Sequence, residues 1–178
     1  YIILVSSVFI SGCAKNTPEI KDAENSKISI AVSIPPIADF CQRIGGERVS
    51  VRLLVPPGAS PHTYQPKSDD IKYLSNADLL VLNGLGLEFW ADKTIAAASN
   101  KNLHILDTSK DIPVISESET HTGHAIGNPH IWLDPLLAIK QAKAICNELS
   151  LIDPKGADIY KSNFNKLENK LKALDTAL

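Results

Sequence analysis

Short apolar runs alternate with segments of helical periodicity along residues 28–152. The runs at 28–33 and 49–55 are rich in β-branched residues, the run LLVL fills 79–82, and a fourth spans 104–106. A continuous apolar strand is typical of a parallel sheet that is covered on both faces. The alternation therefore predicts an α/β fold, with a mostly parallel four-stranded sheet and helices on both faces.

The predicted helices are marked by their first residues. SDD at 68–70 opens one helix, another begins at about Glu88 with Phe89 available for packing, and Asp134-Pro135 gives an N-cap carboxylate followed by proline. Asp153-Pro154 repeats this signal and predicts a last helix. Its apolar stripe is still regular at the final residue, so we expect that helix to continue beyond it; the stripe comprises Tyr160, Phe164, Leu167, Leu171, Leu174 and Leu178.

Composition excludes some partners. The 178 residues carry a net charge of −2, and lysine and arginine are scattered. A chain without a basic field is not expected to bind nucleic acid. Cys41 and Cys146 each lie in an apolar, helix-like stretch, which predicts buried free thiols rather than a disulfide.

The first 27 residues differ from the rest of the chain. The sequence begins with Tyr1 and an apolar run of about half the length that crosses a bilayer, which indicates the remnant of a signal peptide over 1–12. ISGC at 10–13 resembles a bacterial lipobox, which implies cleavage before Cys13 and lipidation of its sulfur. The alternative is an ordinary cysteine behind a shortened signal peptide. Residues 13–27 are mostly polar and suit a flexible tether.

Two histidines have matching settings. His62 lies in the proline-rich loop PPGASPHTYQP at 56–66, which follows a predicted strand, and His130 follows Pro129 just before a helix. Such loops gather at the carboxyl ends of parallel strands, where ligands bind. Two imidazoles there suit Zn²⁺ or another divalent ion. The alternative for the loop of His62 is a surface turn with an incidental histidine.

The remaining histidines are weaker candidates. His121 and His124 lie in an aperiodic loop over 110–128 and are expected to be solvated, the alternative being an auxiliary metal loop. His104 is expected at the rim of a strand. The Gly84-Leu85-Gly86 turn lacks the third glycine of a dinucleotide fingerprint.

Four motifs taken together add a family resemblance: GASPHTYQP at 58–66, ADL at 77–79, NGLGLE at 83–88 and PHIWLDP at 129–135. In this order they resemble the metal-binding lipoproteins of bacterial zinc and manganese ABC transporters, and the similarity runs from about residue 28 to the end. The resemblance implies two α/β lobes bridged by one long helix, with the ion between them. It makes His62 and His130 the two ligands of the amino-terminal lobe.

The same resemblance divides the chain. Residues 28–152 correspond to the amino-terminal lobe and 153–178 to the start of the interlobe helix, and the carboxyl-terminal lobe, which supplies the remaining ligands, is expected to be missing. One position departs from the family pattern. The second motif usually reads Asp-Pro-His, and Asn128 here removes a carboxylate from the outer shell of the metal.

The function implied is that of an extracytoplasmic binding protein, lipid-anchored to the bacterial membrane in the periplasm or at the cell surface. It would capture a divalent metal and pass it to an ABC transporter permease. Zinc is expected over manganese, because imidazole suits zinc and the general affinity order favours it. Two alternatives remain: a surface adhesin in which the metal is structural, and a zinc hydrolase, for which no HExxH motif or free base is evident.

Overall fold

The computed structural model describes residues 27–113 and 127–178. Strands and helices alternate through most of this part of the chain, as the apolar pattern predicts. The strands are β1 (Ile28–Val32), β2 (Val49–Leu53), β3 (Leu79–Leu82) and β4 (His104–Asp107). The helices are α1 (Pro35–Gly45), α2 (Ser68–Leu74), α3 (Ala91–Ala98), α4 (Pro135–Ile152) and α5 (Ala157–Ala177), with 3₁₀ turns at Gly46–Arg48, Ile131–Leu133 and Pro154–Gly156.

The four strands form one parallel sheet in the order β2-β1-β3-β4. The central strands β1 and β3 are almost completely buried, which explains their continuous apolar sequences. The chain winds from β1 to one side and from β3 to the other, so the strand order reverses between these two strands. A crevice for ligands is expected outside the carboxyl ends at such a point.

Helices cover both faces of the sheet, which confirms the predicted architecture. On one face α1, α4 and α5 pack on alternate strand residues such as Ile30, Val32 and Val81. On the other face, α2 and α3 pack on residues that point the opposite way, including Ala31 and Leu80. The buried free thiols Cys41 and Cys146 lie in the first core, as predicted, and burial raises the pKa of both.

The start of α3 differs from the prediction. The helix begins at Ala91 rather than Glu88, and the phenyl ring of Phe89 is largely exposed while Trp90 is buried. The reason lies in the preceding turn, where Gly84, Leu85 and Gly86 all have positive φ angles of 90°, 55° and 73°. These φ angles lie outside the right-handed helical region, and residues 87–90 follow as turns, in which the Ala91 N–H donates to the carbonyl of Glu88, before α3 begins.

The last helix also begins later than predicted. Asp153-Pro154 opens a 3₁₀ turn, α5 follows from Ala157, and the Asp153 side chain caps neither. Instead its carboxylate accepts hydrogen bonds from the guanidinium of Arg48 at 2.7 Å and from the hydroxyl of Tyr160 at 2.6 Å. A charged donor from a distant turn is therefore a stronger partner for this carboxylate than the helix amides.

The apolar stripe of α5 is buried along only part of its length. Tyr160, Phe164 and Leu167 pack against α1 and α4, whereas Leu174 is 49% exposed and Leu178 is 89% exposed.

In the part of the chain that the structure describes, no helix combines the length and the apolar character that crossing a bilayer requires.

Candidate metal centre

The structure brings His62 and His130 together at the carboxyl edge of the sheet. Their ring centroids lie 6.0 Å apart with the ring planes inclined by 51°. Both side chains are exposed in a cleft of about 480 Å³, which the turn from Leu85 to Leu87 and residues 127–129 also line. Two imidazoles on one tetrahedral zinc, with Zn–N bonds of about 2.0–2.1 Å, have centroids roughly 5 Å apart. The observed separation of the two rings is therefore close to that of two imidazoles on one ion.

Two sets of contacts fix the loop that carries His62, one within the loop and one between the loop and the body of the lobe. The N–H of Thr63 donates to the carbonyl of Ser60, so His62 lies inside a tight turn. Two residues further on, the Tyr64 ring packs edge-on against Trp90, with centroids 5.6 Å apart. The Tyr64 hydroxyl donates to a carboxylate oxygen of Asp70 at 2.7 Å. The imidazole is thus presented by a loop whose next aromatic side chain is tied to the body of the lobe.

Asp70 is the polar anchor of that loop. Its buried carboxylate accepts from the Tyr64 hydroxyl, from the Lys67 N–H at 2.9 Å and from Arg52 at 3.0 Å. Burial alone would raise the pKa of Asp70, but these hydrogen bonds and the charge of Arg52 outweigh it, and the pKa lies below its ordinary value. Burial and the contact with Asp70 raise the pKa of Tyr64 to about 12. The carboxylate and the phenol therefore remain charged and neutral, respectively, at neutral pH.

His130 is held by its own segment. Asn128 Oδ1 accepts a hydrogen bond from the His130 backbone N–H at 3.0 Å and lies 2.8 Å from the ring Nδ1. The Trp132 ring lies against the imidazole, with centroids 5.1 Å apart. The Asp134 side chain caps α4 by accepting hydrogen bonds from the N–H groups of Leu136 and Leu137, as the sequence predicts. His130 therefore sits between an Asn-Pro turn and a capped helix.

A buried polar network lies beneath this segment. Asn83 donates to the carbonyl of Pro129 at 2.9 Å, and its own Oδ1 accepts from Gln141 Nε2 at 3.0 Å. Gln141 Nε2 also donates to the hydroxyl of Thr108 at 2.9 Å. All three side chains are buried, so the network connects β3, β4 and α4 to the peptide unit just before His130.

Glu88 fixes the turn that follows β3. Its carboxylate accepts from the N–H groups of Asn83 at 2.9 Å and Gly84 at 3.1 Å. Burial raises the pKa of Glu88 above its ordinary value, although these bonds and one from Ser33 oppose the rise. Gly84 has a φ of 90°, and a Cβ there would overlap with the side chains of Asp107 and Ser109. The turn can approach the end of β4 only because this residue has no side chain.

The other predicted site residues are not part of this cluster. His121, His124 and Cys13 lie outside the described residues. His104 begins β4 at the amino edge of the sheet, where its Nδ1 lies 3.0 Å from Glu148 on α4. Over residues 27–113 and 127–178, no three His, Cys, Asp or Glu side chains converge as a ready metal site. Within this part of the chain, two histidines are the whole candidate ligand set.

Sequence reasoning missed the groups that support the two imidazoles. Asn128 was expected to be only the loss of a carboxylate, yet its amide oxygen is in contact with the His130 ring. An Asn-Pro pair is a known turn signal and could have indicated this bond. The roles of Asn83 and Gln141 depend on a contact across 58 positions, and no local pattern contains it.

The comparisons with known proteins agree with this architecture. The sequence profile of the family described as ZnuA, zinc-uptake complex component A, periplasmic, matches residues 30–178. The chain belongs to this family, which confirms the resemblance seen in its motifs.

Individual relatives are named for two different ions. The chain is 33% identical over 176 residues to the manganese-binding lipoprotein MntA of Halalkalibacterium halodurans, an alignment that covers 98% of this chain and 56% of that protein. It superposes on a zinc-bound ZnuA deletion mutant with a TM-score of 0.78 and 37% identity, over 85% of this chain and 57% of the other. The chain also superposes on a manganese-bound periplasmic metal-binding protein of Candidatus Liberibacter asiaticus. That comparison gives a TM-score of 0.72 and 32% identity, over 81% of this chain and 53% of the other. The chain thus spans little more than half the length of these relatives.

Proposed function

We propose that the chain is the amino-terminal part of an extracytoplasmic solute-binding protein that captures a divalent metal ion and delivers it to an ABC transporter permease. The observation that carries this proposal is the convergence of His62 and His130, 6.0 Å apart, at the carboxyl edge of the sheet. Membership of the ZnuA family and relatives named as metal ABC transporter substrate-binding lipoproteins support it.

The division of the chain follows from the same proposal. Residues 1–12 are the remnant of a signal peptide, 13–27 a tether lipidated at Cys13, 28–152 the first lobe, and 153–178 the start of a helix that leads to a second lobe. The exposure of Leu174 and Leu178 on an otherwise regular apolar stripe supports further packing around α5. The second lobe would supply the ligands that a tetrahedral zinc needs beyond two imidazoles.

Zinc is the proposed cargo, with manganese as the alternative. Imidazole nitrogen is a good ligand for zinc, whereas manganese prefers carboxylate and other oxygen ligands, and the general affinity order also places zinc above manganese. Competition titration of the full-length protein decides between them. Tighter binding of manganese than of zinc at neutral pH would reverse this assignment.

We propose a binding role and not catalysis, because Asp134, four residues after His130, and Glu88, directly after the turn that lines the cleft, are both engaged in other hydrogen bonds. An Asp134 oxygen accepts from the N–H groups of Leu136 and Leu137, and Glu88 accepts from the turn after β3. A zinc hydrolase needs a free base beside the metal-bound water. Neither carboxylate is available for that task.

Metal uptake by cells tests the proposed function. A strain that lacks the gene should accumulate less zinc at limiting supply, and the wild-type gene should restore uptake while a His62→Ala gene should not. Cell adhesion, measured in the same strains, should not follow the substitution. Normal uptake in the deletion strain together with lost adhesion would favour the adhesin instead.

A further inference from the structure

The side chain of Asn128 makes two contacts through one atom. Its Oδ1 accepts from the backbone N–H of His130 at 3.0 Å and lies 2.8 Å from the Nδ1 of the same residue. The intervening Pro129 has a fixed φ and no N–H of its own, which favours this turn. The bond to the backbone therefore sets the orientation of the amide.

The orientation of the Asn128 amide determines which nitrogen of the neutral His130 imidazole carries the hydrogen. A backbone N–H can only donate, so the Asn128 atom that it contacts must be the oxygen and not the nitrogen. An amide oxygen can only accept, so the His130 nitrogen 2.8 Å away must carry a hydrogen when the ring is neutral. Nδ1 is then protonated, and the lone pair lies on Nε2, at the far side of the ring.

We propose that Asn128 is the positioning residue of the metal site: it fixes the neutral His130 imidazole as the Nδ1–H tautomer and so makes Nε2 the ligand atom. This inference rests on the proposed function for its metal, but the tautomer is a property of the metal-free protein. Groups that hold the second nitrogen of a ligating histidine orient the ring and raise its basicity. A neutral amide supplies the orientation without the added negative charge of a carboxylate.

His62 differs in this respect, since no hydrogen bond to its ring comes from the residues that the structure describes. Its loop is tied through Tyr64 and Asp70, while its ring is free to adjust to the ion. The two ligands are thus unequal. The His130 ring is already oriented in the metal-free protein, whereas the His62 ring can change its orientation when the ion binds.

Nitrogen-15 NMR of the full-length, metal-free protein at about pH 8 tests the proposal, with the His130 signals assigned by their loss in His130→Ala. The wild type should show Nδ1 as the protonated nitrogen. Asn128→Ala should shift the ring toward the Nε2–H form that prevails in an unconstrained imidazole, and Asn128→Asp should restore the Nδ1–H form because a carboxylate accepts the same two bonds. An unchanged Nδ1–H tautomer in Asn128→Ala would overturn the proposal.

Zinc affinity provides the second measurement. Asn128→Ala should weaken binding by roughly tenfold, whereas Asn128→Asp should bind at least as tightly as the wild type. If His130→Ala abolishes binding while Asn128→Ala has the wild-type affinity, the positioning role is wrong and the proposed function stands. If neither His62→Ala nor His130→Ala affects binding, the proposed function fails, and the NMR result still decides whether Asn128 sets the tautomer.

Discussion

The side-chain amide of Asn83 donates a hydrogen bond of 2.9 Å to the carbonyl oxygen of Pro129, the residue directly before His130. Asn83→Ala removes this bond and leaves Gln141 without one of its two partners. We expect the free energy of unfolding to fall by about 1–3 kcal/mol. We also expect zinc affinity to fall, because the His130 segment loses its tie to the sheet. Urea denaturation and calorimetry of the full-length protein measure the two effects.

Asn100→Ala is the matched control for this substitution. Asn100 also donates to two backbone carbonyls, those of Leu74 at 3.0 Å and Ala77 at 2.8 Å, but it lies after α3, away from the histidines. The control should lose stability and retain the wild-type zinc affinity. A loss of affinity in both variants would mean that Asn83 acts only through global stability.

Gly84→Ala should be more destabilising than Gly58→Ala. Both glycines have positive φ angles, 90° and 85°, so each substitution carries a backbone cost of about 1–2 kcal/mol. A Cβ at residue 58 has open space, whereas one at residue 84 overlaps with Asp107 and Ser109. Overpacking of this kind adds about 1–3 kcal/mol. Equal changes in the free energy of unfolding, measured by chemical denaturation, would contradict the close approach of this turn to β4.

The Asp70 anchor makes a pH-dependent contribution to stability. The pKa of Asp70 is lowered in the folded protein, so its stabilisation is fully present above the unfolded-state pKa of about 3.9 and is lost as the pH falls through the lower folded value. Asp70→Asn should therefore reduce the free energy of unfolding by about 1–3 kcal/mol at pH 7. The difference in the free energy of unfolding between Asp70→Asn and the wild type should become smaller below about pH 4.

Asp69→Asn provides the control, because it makes the same change of charge at the neighbouring, exposed position. Denaturation curves recorded between pH 3 and pH 7 should remain close to those of the wild type. A gap between Asp70→Asn and the wild type that is independent of pH would argue against the hydrogen-bonded carboxylate as its source.

Lipid attachment at Cys13 is tested by fractionation of cells. If the ISGC sequence is a lipobox, Cys13→Ser should move the protein from the membrane to the soluble fraction, since a thioether to lipid can no longer form. Cys41→Ser removes another thiol but should leave the protein with the membrane. A Cys13→Ser protein that still sediments with membranes would rule out this anchor.

Much of the fold could be predicted because its signals are local. β3 is a continuous apolar run, and the Asp134 carboxylate accepts from the N–H groups of Leu136 and Leu137 in the first turn of the helix that it opens. Asp153-Pro154 carries the same two residues, but its carboxylate pairs with Arg48, 105 positions earlier. The sequence around residue 153 contains no sign of that partner, so the cap prediction was wrong there.

In the candidate site, too, one part could be predicted from the sequence and another could not. His62 and His130 each follow a proline in a loop before a helix, which indicated them as a pair, and general topology placed both at one edge of the sheet. The groups that hold them could not be predicted, because the bond from Gln141 to Asn83 joins two buried amides on different elements. Only the packed structure determines that these amides meet.

We expect His62 and His130 to bind one metal ion, and calorimetric titration of the metal-free, full-length protein with zinc tests this directly. His62→Ala and His130→Ala should each weaken binding by more than the roughly 10–100-fold that loss of a group supporting a ligand costs, because each removes a ligand itself. His104→Ala, which removes an exposed imidazole beside Glu148, should retain the wild-type affinity. Wild-type affinity in both His62→Ala and His130→Ala would contradict a site formed by these two histidines, because the ion would then be bound elsewhere.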